Sequence, residues 1–184
     1  MENSEKKNLP PPYLSWKTFS SYIKSLRETL PPRIDKSVMR SLSGSNQNLM
    51  MNALFYLKLI RSDGTPEDLF KKIVDASDSA TKETYQELLS TMLHSAYPFI
   101  FDGSDSFDLS SSTSAQFDQK FKGLGVVNGD TIQKCKSFFI GAAEEAGLKL
   151  SPHIVETRKR ASRKNITSRQ RIAKTDKGIS AENK

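Results

Sequence analysis

Between residues 49 and 60 the chain places apolar side chains on every side of any helix drawn through it. Leu49, Met50, Ala53, Leu54, Leu57 and Ile60 share one face, while Met51, Phe55 and Leu59 lie on the other. A helix that is apolar nearly all round must be buried or covered by a partner. This run is therefore expected to be the central helix of a first structural unit. Asn52 and Lys58 interrupt it, and it falls well short of the roughly 18 consecutive apolar residues that a membrane span requires.

The rest of the body repeats the same grammar of apolar stripes at helical spacing between strong stop signals. Pro10-Pro11-Pro12 closes a polar, flexible lead at 1–12 and blocks any helix before it. Phe19, Tyr22, Ile23, Leu26 and Leu30 predict a first helix over 16–29, stopped by Pro31-Pro32. Asp35 can cap a short second helix carrying Val38, Met39 and Leu42, and Ser45 can cap the third over 46–59. Ser62-Asp63-Gly64-Thr65-Pro66 is a turn, with room for a short β-wing at 60–65. Thr65 would then cap a fourth helix opening at Pro66 and carrying Leu69, Phe70, Ile73 and Val74.

Tyr85, Leu88, Leu89, Met92 and Leu93 predict a fifth helix over 81–94. Pro98 reads as a break, making 97–101 extended chain and 102–114 a loop. Phe117 and Phe121 mark a sixth helix over 113–122. The seventh has Asp130 as N-cap with Gln133 three residues on, and Gly147 as terminator. The expected fold is all-α, with about seven helices in two packed helix-turn-helix-like halves, 13–76 and 81–152, within one helical domain at 13–152.

Charge divides the chain differently. The sequence holds 28 Lys or Arg against 21 Asp or Glu, a net +7. Residues 156–184 contain ten of those bases and three of the acids, which is the whole excess, so residues 1–155 are neutral overall. Past Pro152 the apolar periodicity stops, and 153–184 is expected to be a disordered basic tail. Such a charge block at a chain end concerns partners rather than folding.

No catalytic motif stands out. The two histidines, His94 and His153, sit in no metalloprotease, nucleophile-elbow or P-loop pattern, and the chain reads as non-enzymatic, with no cofactor and no evident small-molecule substrate. The single cysteine, Cys135, excludes an intramolecular disulfide and fits a reducing compartment. On the apolar face of helix seven it reads as an inert structural thiol. Asp102, Asp105 and Asp108 lack the alternating ligands and closing Glu of a calcium loop, so no metal is expected. The polar start at 1–9 offers no secretory h-region, and the expected location is cytoplasmic.

A cationic arm can displace counterions from a nucleic-acid backbone and so bind in a salt-dependent, sequence-blind way. Arg158, Lys159, Arg160, Arg163 and Lys164 are its densest part, and Arg169 and Arg171 extend it. In the body, Asn46, Gln47 and Asn48 open helix three, where amide side chains could meet adenine edges. Thr131, Gln133, Lys134 and Lys136 hold the equivalent place on helix seven. The competing reading is a protein–protein adaptor or self-associating module with no nucleic-acid role, in which Met51 and Phe55 bury against a partner or a second copy.

A family resemblance joins these pieces. It is carried by Pro12-Tyr13-Leu14-Ser15-Trp16-Lys17-Thr18-Phe19, Pro32-Arg33-Ile34-Asp35-Lys36-Ser37-Val38 and Ser43-Gly44-Ser45. It continues through Ala53-Leu54-x-x-Leu57 with Asp63-Gly64, Ala96-Tyr97-Pro98-Phe99, and Phe138-Phe139-x-x-Ala142-Ala143 ending at Ala146-Gly147. The succession resembles a prokaryotic domain-of-unknown-function family, number 5343, over about 12–152. The resemblance implies a small cytosolic bacterial or archaeal protein and supplies no activity or catalytic residues. The basic arm lies outside it.

Overall fold

The structure is a computed structural model that describes residues 9–79, 81–102, 107–125 and 129–156. Among these residues it is all-α, with a short helical segment at 152–156 in addition to seven α-helices and one 3-10 turn. They are α1 (Trp16–Ser25), a 3-10 turn (Lys36–Val38), α2 (Gly44–Tyr56), α3 (Asp68–Ser79), α4 (Lys82–Ala96), α5 (Pro98–Phe101), α6 (Ser114–Lys122) and α7 (Gly129–Glu145).

The architecture centres on α7, which packs against α1, α4 and α6, while α3 packs against both α1 and α4. The reason is in its sequence: Ile132, Cys135 and the run from Phe138 to Ala143 are all buried. Gly141 lets α1 come close, because a Cβ there would lie 2.8 Å from Trp16 Cβ. Trp16, Phe19 and Phe138 then form a triad of rings with centroids 5.3 Å apart. A second aromatic group gathers on Phe139, which meets Tyr97 at 4.9 Å, Phe117 at 5.7 Å and Phe121 at 6.1 Å. The buried side chains of both expected halves form one continuous core.

Helix ends show where local signals held and where tertiary pairing overrode them. Thr81 accepts from Thr84 N as the N-cap of α4, and Thr113 with Gln116 forms a complete capping box on α6. Gly147, with φ 72°, closes α7: its N–H donates to Glu144 O, and Leu148 N donates to Ala143 O at 2.9 Å, the Schellman pattern. By contrast, α1 stops at Ser25 rather than 29, with Ser25 Oγ donating to Tyr22 O at 2.7 Å. The second helix expected from Asp35 is only the 3-10 turn, although Asp35 does cap it.

The long apolar helix runs over Gly44–Tyr56, earlier at both ends than expected, and its N-cap is Ser43 rather than Ser45. Lys58 ends it by taking φ 55°, so that Leu59 N donates to Leu54 O at 2.9 Å. Its side chain then reaches the last turn of α4, with Nζ donating to Ser95 O at 2.9 Å. No β-wing forms among the described residues: the turn is closed by one isolated bridge, Ile60 to Pro66. That pairing engages Thr65, whose carbonyl accepts from Arg61 N, so α3 begins at Asp68 instead of Pro66 with a Thr65 cap. Pro98, expected to break the chain into an extended segment, instead starts α5 from its first turn, where a missing N–H costs nothing. Asp130 lies in the first turn of α7, not at its cap.

Both chain boundaries also move. Pro11 and Pro12, assigned to the flexible lead, are buried, and Cys135 Sγ donates to Pro11 O at 3.2 Å. Residues 152–156, assigned to the tail and the edge before it, are helical, with Ile154 fully buried in the core. Two adjacent apolar residues, Ile154 and Val155, were too short a signal to extend the periodicity past Pro152.

The turn at 61–66 is pinned to the chain before the 3-10 turn, with Ile34 N donating to Gly64 O at 2.8 Å. Gly64 has φ 87°, and a Cβ there would lie 2.5 Å from Ile34 O. Gly64→Ala is therefore expected to cost at least about 2 kcal/mol, read as a lower denaturant midpoint at unchanged m-value.

Candidate nucleic-acid interface

Arg158, Lys159, Arg160, Arg163, Lys164, Arg169 and Arg171 lie outside the described residues. The body candidates can be placed. Asn46 is half-buried in the first turn of α2, and Asn48, two residues on, is exposed. Gln47 is tied down: its Nε2 donates to both Met39 O and Leu42 O at 3.1 Å. That amide serves as a strut between the 3-10 segment and α2.

On α7 the arrangement differs from the expectation. Gln133 and Lys134 are exposed and Thr131 is half-buried, but Lys136 is only 1% exposed and its ammonium pairs with Asp118 of α6. Lys136 is thus a structural cation, and it is unavailable to a phosphate. An i, i+18 pair between two helices gives no local sign of itself in sequence. Met51 and Phe55 are half-buried on α2 and pack against the edge of the core.

One multiply bonded polar group among the described residues was not foreseen. Glu145, in the last turn of α7, receives Trp16 Nε1 at 2.5 Å on Oε2 and Ser20 Oγ at 3.2 Å on Oε1, with Lys24 Nζ 3.8 Å away. Tyr85 of α4 faces the same carboxylate. Burial, and then the nearby Glu145 charge, push its phenol up to about 12. Chemically this is a clamp joining three helices: the carboxylate's oxygens already accept hydrogen bonds, and the phenol stays protonated.

His94 and Asp108 are likewise structural. Nδ1 of His94 donates to Ser90 O at 2.8 Å, and its ring stacks 3.8 Å from Phe101, fastening α5 to the end of α4. Asp108 accepts from Ser110 N and Oγ and from Ser111 Oγ, and these bonds hold its carboxyl down at about 2. Asp105 lies outside the described residues. Among the described residues no group of three or more His, Cys, Asp or Glu could hold a metal ion. Nor is any helix among them long and apolar enough to cross a membrane.

Cys135 is buried, as read from the sequence, and burial pushes its thiol up to about 12. Burial does the same to Tyr22, also to about 12, and raises Tyr56 and Tyr97 further. All these groups are neutral when protonated, so the fold favours the protonated forms. Their contribution is complete below the ordinary values of 9.0 for the thiol and 10.0 for the phenols. It falls as pH rises toward about 12. The denaturant midpoint is expected to decline across that alkaline window, and Cys135 should react with a disulfide reagent at pH 8 only after unfolding.

The ordered signature segments, from the buried Pro12 and Trp16 to the Gly147 stop, form the packed body just described. That body corresponds to one family domain: the model of DUF5343, a family of unknown function, matches residues 12–151. The chain belongs to this family. No curated protein and no solved structure matches it.

Proposed function

We propose that this chain is a small, non-enzymatic, cytoplasmic accessory protein of a prokaryote that contacts DNA or RNA, chiefly through its basic C-terminal segment. The observation that carries the reading is charge segregation. The whole net charge of +7 falls within residues 156–184, on a chain whose other residues balance. A polycation linked to a neutral folded body gains affinity for any phosphate backbone by counterion release. With no aromatic residue in 156–184, the contact is electrostatic rather than built on base stacking. Exposed Asn48 and half-buried Asn46 on α2 could add positioning contacts from the body. The test is direct. Full-length protein in dilute buffer is expected to raise the anisotropy of labelled duplex and single-stranded oligonucleotides, and no response to either would end the proposal.

One observation favours a protein–protein adaptor. Met51 and Phe55 remain half-buried on α2, the helix whose main packing neighbour among the elements is the 3-10 turn. An adaptor using this face would show association that persists in salt and is lost in Phe55→Asp. Circular dichroism would establish that the variant is folded.

A further inference from the structure

The neutrality of the body conceals a partition. Residues 13–60 carry seven basic residues against two acidic ones, Glu28 and Asp35, a net +5; residues 61–155 carry nine against fourteen, a net −5. All seven bases of the first stretch are exposed. Between Asp35 and Asp63 there is no acidic residue at all.

The densest cluster is Arg33, Lys36 and Arg40, three exposed cations within eight residues, on and beside the 3-10 turn. The fold sets this turn against α2, and the two Gln47 amide bonds hold it there. α2 has no acid in its first turn. The two carboxylates that bound this stretch are each bonded to their own loop: Asp35 Oδ1 accepts from Ser37 N at 2.8 Å and from Ser37 Oγ at 2.6 Å, and Asp63 Oδ1 accepts from Thr65 N at 2.9 Å. Arg40 Nε donates to Ser37 O at 3.2 Å, which lays its guanidinium along the same turn.

We propose that this corner of the body, through Lys36 and Arg40 with Arg33 at its edge, is a second contact surface for a nucleic-acid phosphate backbone. The proposal rests on the polyanion reading above and adds to it a surface on the folded domain. The physical basis is local potential. Three exposed cations against the Asp35 carboxylate leave this corner net positive, which attracts a phosphate chain, while the acidic remainder of the body repels it. The polyanion held by the C-terminal segment is thereby oriented on the domain instead of merely tethered.

The test uses full-length protein and a labelled DNA duplex, with affinity measured across a salt series. In Lys36→Ala/Arg40→Ala, the slope of log affinity against log salt is expected to fall in magnitude by about 1.8, since each lost phosphate contact removes about 0.9. Lys36→Gln alone should remove about half of that. Lys82→Ala takes an exposed cation from beside Glu83 in the acidic stretch, and it should leave the slope unchanged. Thermal melts by circular dichroism should be the same for all three variants and the parent.

If the parent binds and the double variant keeps its slope, this surface is excluded while the C-terminal reading stands. If Lys82→Ala lowers the slope as much as Lys36→Gln does, only overall charge matters, and the surface is again excluded. A parent that ignores duplex in dilute buffer removes both readings together.

Discussion

Phe139→Ala is expected to cost the body about 3–5 kcal/mol, the range for emptying a well-packed aromatic site. Phe139 is fully buried on α7 and is the ring shared by four others: Tyr97, Phe101, Phe117 and Phe121, on α4's C-cap, α5 and α6. Because these neighbours come from separate elements, no single side-chain movement refills the space, so the cost falls toward the upper part of the range. Against a total stability of about 5–15 kcal/mol, that is a large fraction. A drop in melting temperature of roughly 10 °C is expected for a chain of this size. The same truncation at Phe55, half-buried at the edge of the core, should cost clearly less. Equal losses at the two positions would show that α7 is not the centre of the packing.

Neutralising Arg158, Lys159, Arg160, Arg163 and Lys164 together, each to Gln, is expected to weaken duplex binding by about a hundredfold or more at low salt. Substitution is cleaner than deletion. A cut after Val155 would end the chain within the helical segment 152–156 and beside the buried Ile154, so a loss of binding could follow from damage to the core. The five substitutions leave residues 1–156 intact, and the melting temperature should not change. If affinity survives in the neutralised protein, the basic segment is not the main contact. The exposed cations of the body, Lys36 and Arg40 among them, would then have to account for it.

Much of the helical plan was legible because its signals are local. The Asp35 cap of the 3-10 turn, the Thr81 start of α4 and the Gly147 stop of α7 each depend on residues within a turn of one another. Errors arose where a distant pairing changed what a local signal means. Thr65 is a good cap by type, but the Ile60–Pro66 bridge claims its backbone. Pro98 reads as a breaker, yet it stands at a first turn, where proline is accepted.

The same logic covers the candidate interface. Lys136 looks like any surface lysine until Asp118 arrives from α6, and Gln47 like any polar helix start until the 3-10 segment folds under it. The Glu145 clamp joins residues 129 positions apart, a separation at which spacing carries no signal. By contrast, the acid-free stretch from 36 to 62 could have been read directly. A body total of zero hid it.

The most direct measurement is the affinity of the full-length chain for a DNA duplex across a salt series. The account predicts a straight log–log line with a slope of about −5 or steeper, as expected when the five densest C-terminal bases and further cations release counterions. Binding that is indifferent to salt, or absent in dilute buffer, would contradict it.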